Sequence, residues 1–135
     1  MDEGSYGITV STPLAPDEAE QSIRKALADE GFGILTEIDV AATLKAKLGI
    51  DREPYKILGA CNPQLANRAL EVEESIGLLL PCNVVVYAGE EHTTVAALEP
   101  LTMTQLVADP AIEPVAREAR ERLERALRRV EQLEN

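Results

Sequence analysis

Lys56-Ile57-Leu58-Gly59-Ala60-Cys61-Asn62-Pro63 runs a strand straight into a helix. Tyr55 to Ala60 reads as the strand. Asn62-Pro63 reads as a helix start, because Asn offers a side-chain acceptor to an unpaired backbone N–H and proline gives up only a donor that the first turn leaves unpaired. Leu65, Ala66, Ala69, Leu70 and Val72 then place apolar side chains toward a core.

The same alternation continues upstream. Tyr6, Ile8 and Val10 alternate with Gly7 and Thr9 at period two, and Ser11-Thr12-Pro13 ends that strand. Pro16 opens a helix with Asp17, Glu18 and Glu20 in its first turn, and Ala19, Ile23, Ala26 and Leu27 recur at helical spacing until Gly31. Ile34 to Ile38 is β-branched and reads as a strand with Ile34, Thr36 and Ile38 on one face and Leu35 and Glu37 on the other. Asp39 is placed to cap a helix through Val40, Ala41, Leu44 and Leu48, with Gly49 just beyond it.

Downstream, Val84 to Tyr87 is the most strand-like run, and Thr93 to Leu98 is its hairpin partner across Gly89-Glu90-Glu91-His92. From Pro114 to about Leu133, Val115, Ala119, Leu123, Ala126, Leu127 and Val130 form one apolar stripe. Glu118/Arg122, Glu121/Arg125 and Glu124/Arg128 are ion pairs at helical spacing beside it.

The order β-α-β-α-β-α-β-β-α predicts an α+β fold: a two-layer α/β sandwich, with a mixed sheet of about five strands and helices packed on one face. One domain accounts for residues 1–135, with a core over about 5–108 and a C-terminal amphipathic helix over about 114–133. Folding should leave roughly 7,000 Å² of surface, about a third of what the extended chain exposes, so one core is enough.

Composition narrows the partners. The chain is 45% hydrophobic but only 3% aromatic, so the core is built from Leu, Ile, Val and Ala, and rings for stacking single-stranded nucleic acid are lacking. A net charge of -11 repels polyanions, which argues against DNA, RNA and acidic membranes as partners. The 7 basic and 19 acidic residues of Met1 to Pro114 make an acidic body, whereas 6 Arg and 5 Glu balance the tail from Val115. The preference for Arg over Lys, 9 against 4, together with the ladder of ion pairs, suits a thermophilic source. The longest apolar stretch, Ile76 to Ala88, is interrupted by Pro81 and Asn83 and falls short of the roughly 20 residues a spanning helix needs. With no secretion signal at the N-terminus and two unclustered cysteines, the expected location is cytoplasmic.

Three segments resemble a known family: Gly31-Phe32-Gly33-Ile34-Leu35-Thr36-Glu37-Ile38-Asp39, Lys56-Ile57-Leu58-Gly59-Ala60-Cys61-Asn62-Pro63, and Leu79-Leu80-Pro81-Cys82-Asn83-Val84-Val85-Val86-Tyr87. They are similar to the prokaryotic domain of unknown function three-hundred-and-two. The resemblance covers roughly Gly31 to Met103, and the C-terminal helix looks like an addition to it. It implies a two-layer α/β sandwich and a homodimer, and it brings no biochemical role.

Candidate chemistry centres on Cys61. The residue precedes a capped helix start, where the positive end of the helix dipole lowers a thiol's pKa. Free cysteine is equally at home as a small buried hydrophobe. Cys82 precedes Asn83 as Cys61 precedes Asn62, and neighbouring strands would bring the sulfurs together as a redox pair or as two ligands of a soft metal. No zinc-type spacing accompanies them. His92, the only histidine, lies in a solvated turn. Glu37 and Asp39 share a strand face, with Asp39 already assigned as a cap. Glu71, Glu73 and Glu74 crowd a helix end without the oxygen-rich loop of a calcium site. Gly31-Phe32-Gly33 joins helix to strand, the reverse of a dinucleotide cradle, and neither a phosphate-binding loop nor a nucleophile elbow occurs.

The sequence therefore predicts a non-catalytic small-ligand-binding or regulatory homodimer without cofactor or resident metal. Its ligand end would be formed by Cys61, Asn62, Cys82 and Glu37. A thiol- or metal-dependent enzyme built on Cys61 and a structural oligomerisation module stand as alternatives.

Overall fold

The computed structural model describes residues 2–3 and 6–133. The ends of the expected 1–135 domain, and the start of its core at residue 5, lie outside the described residues. A two-residue strand, β1 (Asp2–Glu3), edges β2 (Gly7–Thr12), which leads into α1 (Pro16–Asp29). β3 (Gly33–Asp39), α2 (Val40–Leu48), β4 (Tyr55–Cys61) and α3 (Pro63–Val72) follow in alternation. After a 3-10 segment over Glu74–Leu79 come the hairpin strands β5 (Cys82–Ala88) and β6 (Thr93–Leu98). A 3-10 turn (Pro100–Thr102), α4 (Met103–Leu106) and α5 (Ile112–Glu131) complete the chain. The stretch from Leu101 to Pro114 between β6 and most of α5 is thus partly helical.

The local signals act as their chemistry requires. Asp39 Oδ1 accepts the Ala42 N–H at 2.9 Å, and α2 closes on Gly49 in the left-handed region at φ 67°. Asn62 Oδ1 accepts the Leu65 N–H at 3.2 Å to start α3.

The strands order as β1-β2-β6-β5-β4-β3, and every pair is antiparallel. The α+β sandwich holds, and the strand directions correct the expected mixed sheet. A parallel neighbour requires a crossover that carries the chain to the opposite end of the sheet. Here α3 leaves the end of β4 and the 3-10 segment returns to that same end, so β5 restarts beside it with Ala60 opposite Cys82. α2 buries none of its residues and likewise makes no crossover between β3 and β4.

One face of the sheet carries the helices. Ile8, Leu58, Val84 and Val95 are fully buried on it, against Ile23 and Leu27 of α1 and Leu123 and Leu127 of α5. A smaller core gathers Leu65, Ala69, Ile76, Met103, Ile112, Val115, Ala116 and Ala119 under α3 and the start of α5. The accessible surface is 7647 Å², close to the expectation from chain length. α5 packs on its own chain: Arg129 meets Asp29 at 2.7 Å, and Arg122 Nη1 donates to the Glu30 carbonyl at 2.9 Å. Two expected rungs of the ion-pair ladder are present, Arg122 to Glu118 at 3.2 Å and Arg128 to Glu124 at 3.6 Å. Arg125 reaches Glu30 at 2.9 Å instead of forming its own rung.

β3 departs from strict alternation. Its register shifts between Ile34 and Thr36, so Ile34 faces Ala60 and Thr36 faces Gly59. The extra residue, Leu35, turns Ile34, Glu37 and Asp39 to the helix side and leaves Thr36 and Ile38 on the other face. That corrects the expected grouping of Ile34 with Thr36 and Ile38.

Candidate functional site

The end of β4, the start of α3 and the start of β5 meet around a small cavity. Its wall includes Phe32, Cys61, Asn62, Cys82 and Met103, closed by Val115 and Ala119 of α5, and it encloses about 30 Å³. Three of the four residues expected at the ligand end therefore come together. Asn62 is already engaged: its Oδ1 caps α3, and its Nδ2 donates to the Glu30 carbonyl at 3.4 Å. The Asn62 Nδ2 also lies 2.9 Å from where a Cβ on Gly31 would sit, and Gly31 has φ +87°, so the glycine admits both the backbone turn and the asparagine.

Glu37 is not part of this cavity. It stands opposite Leu58, three rungs along β3 from the Gly33–Cys61 pair, within an ion cluster of its own. Its carboxylate lies 2.8 Å from Lys56 Nζ and 3.1 Å from Arg24, and Lys56 also meets buried Glu20 at 3.1 Å. The Lys56 hydrogen bond, with the Lys56 and Arg24 charges, holds the Glu37 carboxyl below the usual range. Hydrogen bonds that Lys56 donates to Glu37 and Glu20 raise its own pKa in turn. The cluster pins α1 to the inner face of β3 and β4, and a lysine stabilised as a cation is a poor nucleophile.

Both thiols are free. Cys82 is buried and Cys61 half-buried. Burial, together with the Cys61 charge, pushes the Cys82 thiol up to about 11, so it stays protonated at neutral pH.

The other candidates have local partners. His92 Nδ1 lies 2.6 Å from the Glu90 carbonyl, and its ring covers Gly89 inside the turn. Glu71 accepts from Asn67, and Glu73 from Ser75. Among the described residues no three His, Cys, Asp or Glu side chains gather as a metal site, and no helix is long and apolar enough to cross a membrane.

Two features escaped the sequence reading. A wider groove of about 420 Å³ opens beside the cavity, lined by Tyr6, Leu78, Pro81, Asn83, Leu98 and Leu106 among others. The second feature is the sheet face away from the helices. Thr9, Ala96, Val85, Ile57 and Ile38 make one row across five strands, and Ser11, Thr94, Tyr87 and Tyr55 make a second across four. Tyr55 and Tyr87 stack with centroids 5.1 Å apart. The signal for this face lay in β5, which is apolar on both sides where a half-solvated antiparallel strand alternates.

An open antiparallel sheet layered with helices on one face, and a cavity at its strand-to-helix junction, place the molecule among the two-layer α+β sandwich proteins. The chain belongs to the family described as "Domain of unknown function DUF302", which matches residues 8–130. It is similar to a solved structure, described as an uncharacterized conserved protein DUF302 from Bacillus stearothermophilus. That likeness has a TM-score of 0.86 at 32% identity and covers 93% of this chain and 98% of the other. No curated protein matches the sequence. Because the family match runs through most of α5, the C-terminal helix is part of the family domain and not an addition to it.

Proposed function

We propose that this protein is a non-catalytic binding protein that works as a homodimer, a second copy covering the open sheet face. The observation that carries this reading is the chemistry of that face. Its two rows contain no charged residue across the five long strands, on a chain of net charge -11. Two such bodies repel each other wherever their carboxylates meet, and a face whose rows carry no carboxylate is where that repulsion is least, with Ile38, Ile57, Val85 and Ala96 there to bury. Tyr6 and Leu98, at one margin of the face, also line the 420 Å³ groove, so a copy seated there would close a volume in the range of organic ligand sites, roughly 300–1,000 Å³.

Sedimentation equilibrium of the wild-type protein and of Val85→Glu tests the reading. Val85 is half-buried at the centre of the face, so a carboxylate there is tolerated by a monomer and opposed by a dimer. A dimer mass for the wild type and a monomer mass for the variant, with similar melting temperatures, is the expected result. A monomeric wild type at tens of micromolar sinks it. A thiol enzyme is the second reading, favoured by the position of Cys61 just before the α3 cap. Alkylation of Cys61 as a function of pH, with Cys61→Ser as control, separates it: inertness up to about pH 8.5 removes the enzyme reading.

A further inference from the structure

We propose that two adjoining grooves beside the 3-10 segment Glu74–Leu79 form a binding site for a cationic amphiphile, an organic ammonium ion that carries an aliphatic chain. The first is the groove of about 420 Å³ already described. The second, of about 330 Å³, is lined by Glu73, Ser75, Ile76, Val107 and Ala108. Leu78, Leu79 and Leu106 line both, so the two volumes share one apolar wall. Each exceeds the roughly 300 Å³ at which organic ligand sites begin.

That wall is open to solvent. Leu78 is 89% exposed and Leu106 68%, and Tyr6 in the first groove is 75% exposed. Ile76 and Met103 beneath them are buried within the smaller core, so the exposed leucines are not needed to fill it. Single exposed apolar residues are ordinary on a protein surface, but three that converge on one pair of grooves from separate segments mark a place where an apolar partner is buried.

Charge selects the rest of the ligand. The first groove is lined by no charged residue, and the second by one, Glu73. Its carboxylate accepts from the Ser75 hydroxyl at 3.0 Å, and among the described residues no Lys, Arg or His lines either groove. Glu73 directly follows α3, at the end where the helix dipole is negative and a cation is favoured. A fatty acid or an anionic lipid would meet this carboxylate and a body of net charge -11. The ammonium head therefore sits at Glu73, and the aliphatic chain crosses the leucine wall into the uncharged groove.

The inference rests on the binding reading given above but does not require the dimer. The probe is decyltrimethylammonium, titrated by calorimetry into the whole protein below its micelle concentration. Decanoate and decyl maltoside serve as anionic and neutral chains of equal length, and tetramethylammonium as the head alone. One saturable equivalent per chain is expected for decyltrimethylammonium, with every comparator weaker. Glu73→Gln should weaken binding about two- to fivefold, the range of an exposed charge pair, and Leu78→Ser about tenfold, through lost apolar burial. Both side chains are exposed, so both variants should melt like the wild type. Glu53→Gln, in the exposed loop before β4, should leave the affinity unchanged. Absence of saturable uptake overturns the site, as does a neutral chain that binds as tightly as the ammonium ion. So does uptake that Leu78→Ser leaves unchanged, or an equal loss in Glu73→Gln and Glu53→Gln, which would assign the attraction to overall charge. Uptake by a wild type that sediments as a monomer defeats the dimer and keeps the site, and a dimeric wild type without uptake does the reverse.

Discussion

Gly59 shows how closely single residues fix the candidate site. A Cβ there would be driven into Thr36 Oγ1 and would lie 2.8 Å from Pro81 Cγ, so β3, β4 and the residue before β5 crowd onto a position that only glycine fills. Gly59→Ala should cost about 1–3 kcal/mol in denaturant unfolding, as overpacking does. Adding Thr36→Ala should recover only part of that, because the proline ring remains; full recovery would show that Pro81 yields. Cys82 makes a prediction in pH. Its folded thiol is pushed up to about 11, whereas the unfolded chain releases the same proton near 8.5. The folded state binds the extra proton between those values, so stability is fully present below about pH 8.5 and falls as pH rises toward 11. Cys82→Ala should flatten that alkaline limb in a series of urea melts, and an unchanged slope would assign the loss to other groups.

Asn62 belongs to the element scale, since it starts α3 and holds the α1–β3 turn through the Glu30 carbonyl. Asn62→Ala should destabilise by about 0.5–2 kcal/mol, the range of a lost helix cap, as read from the denaturant midpoint. α5 is the larger case. Its residues Ala116, Leu123, Ala126, Leu127 and Val130 are at most 1% exposed, so Leu127→Ala should cost about 2–5 kcal/mol. A loss under about 1 kcal/mol would mean that the helix docks loosely. The apolar stripe of α5 was plain from its 3.6-residue spacing, as were the caps at Asp39 and Asn62. The bulge at Leu35 was hidden, because a single inserted residue leaves no compositional mark and shows only in its pairing with β4.

At the scale of the whole molecule, charge and shape act together. If two copies of this acidic chain meet through the open sheet face, their like charges oppose assembly and added salt relieves the opposition. The Debye length falls from about 30 Å at 0.01 M to about 3 Å at 1 M, so the dimer should tighten as ionic strength rises. Sedimentation at several salt concentrations checks this, and an association weakened by salt would point to an ion-paired interface elsewhere. Cys61, Asn62 and Cys82 were legible as neighbours of one junction because a strand end, a cap and a strand start each declare themselves locally. Met103 was not, since it lies twenty-one residues beyond Cys82 in a connection whose path only packing reveals. Glu37 was misplaced for the opposite reason: it lies near the first motif in sequence, yet a strand extends about 3.3 Å per residue and carries it away from the cavity to Lys56 and Arg24.

The sequence by itself determined the order of elements, the helix starts and stops, the acidic body and the family. Each of these follows from periodicity, capping chemistry or motif within a few residues. The tertiary structure alone decided that the sheet is antiparallel throughout, that one of its faces is left open with no charged residue in two of its cross-strand rows, and that Cys61, Cys82 and Met103 come to line one small cavity. Strand direction depends on the end of the sheet to which a connection returns, and a shared cavity depends on which distant side chains meet across the core. Both are relations between segments far apart in the chain, beyond what local pattern encodes.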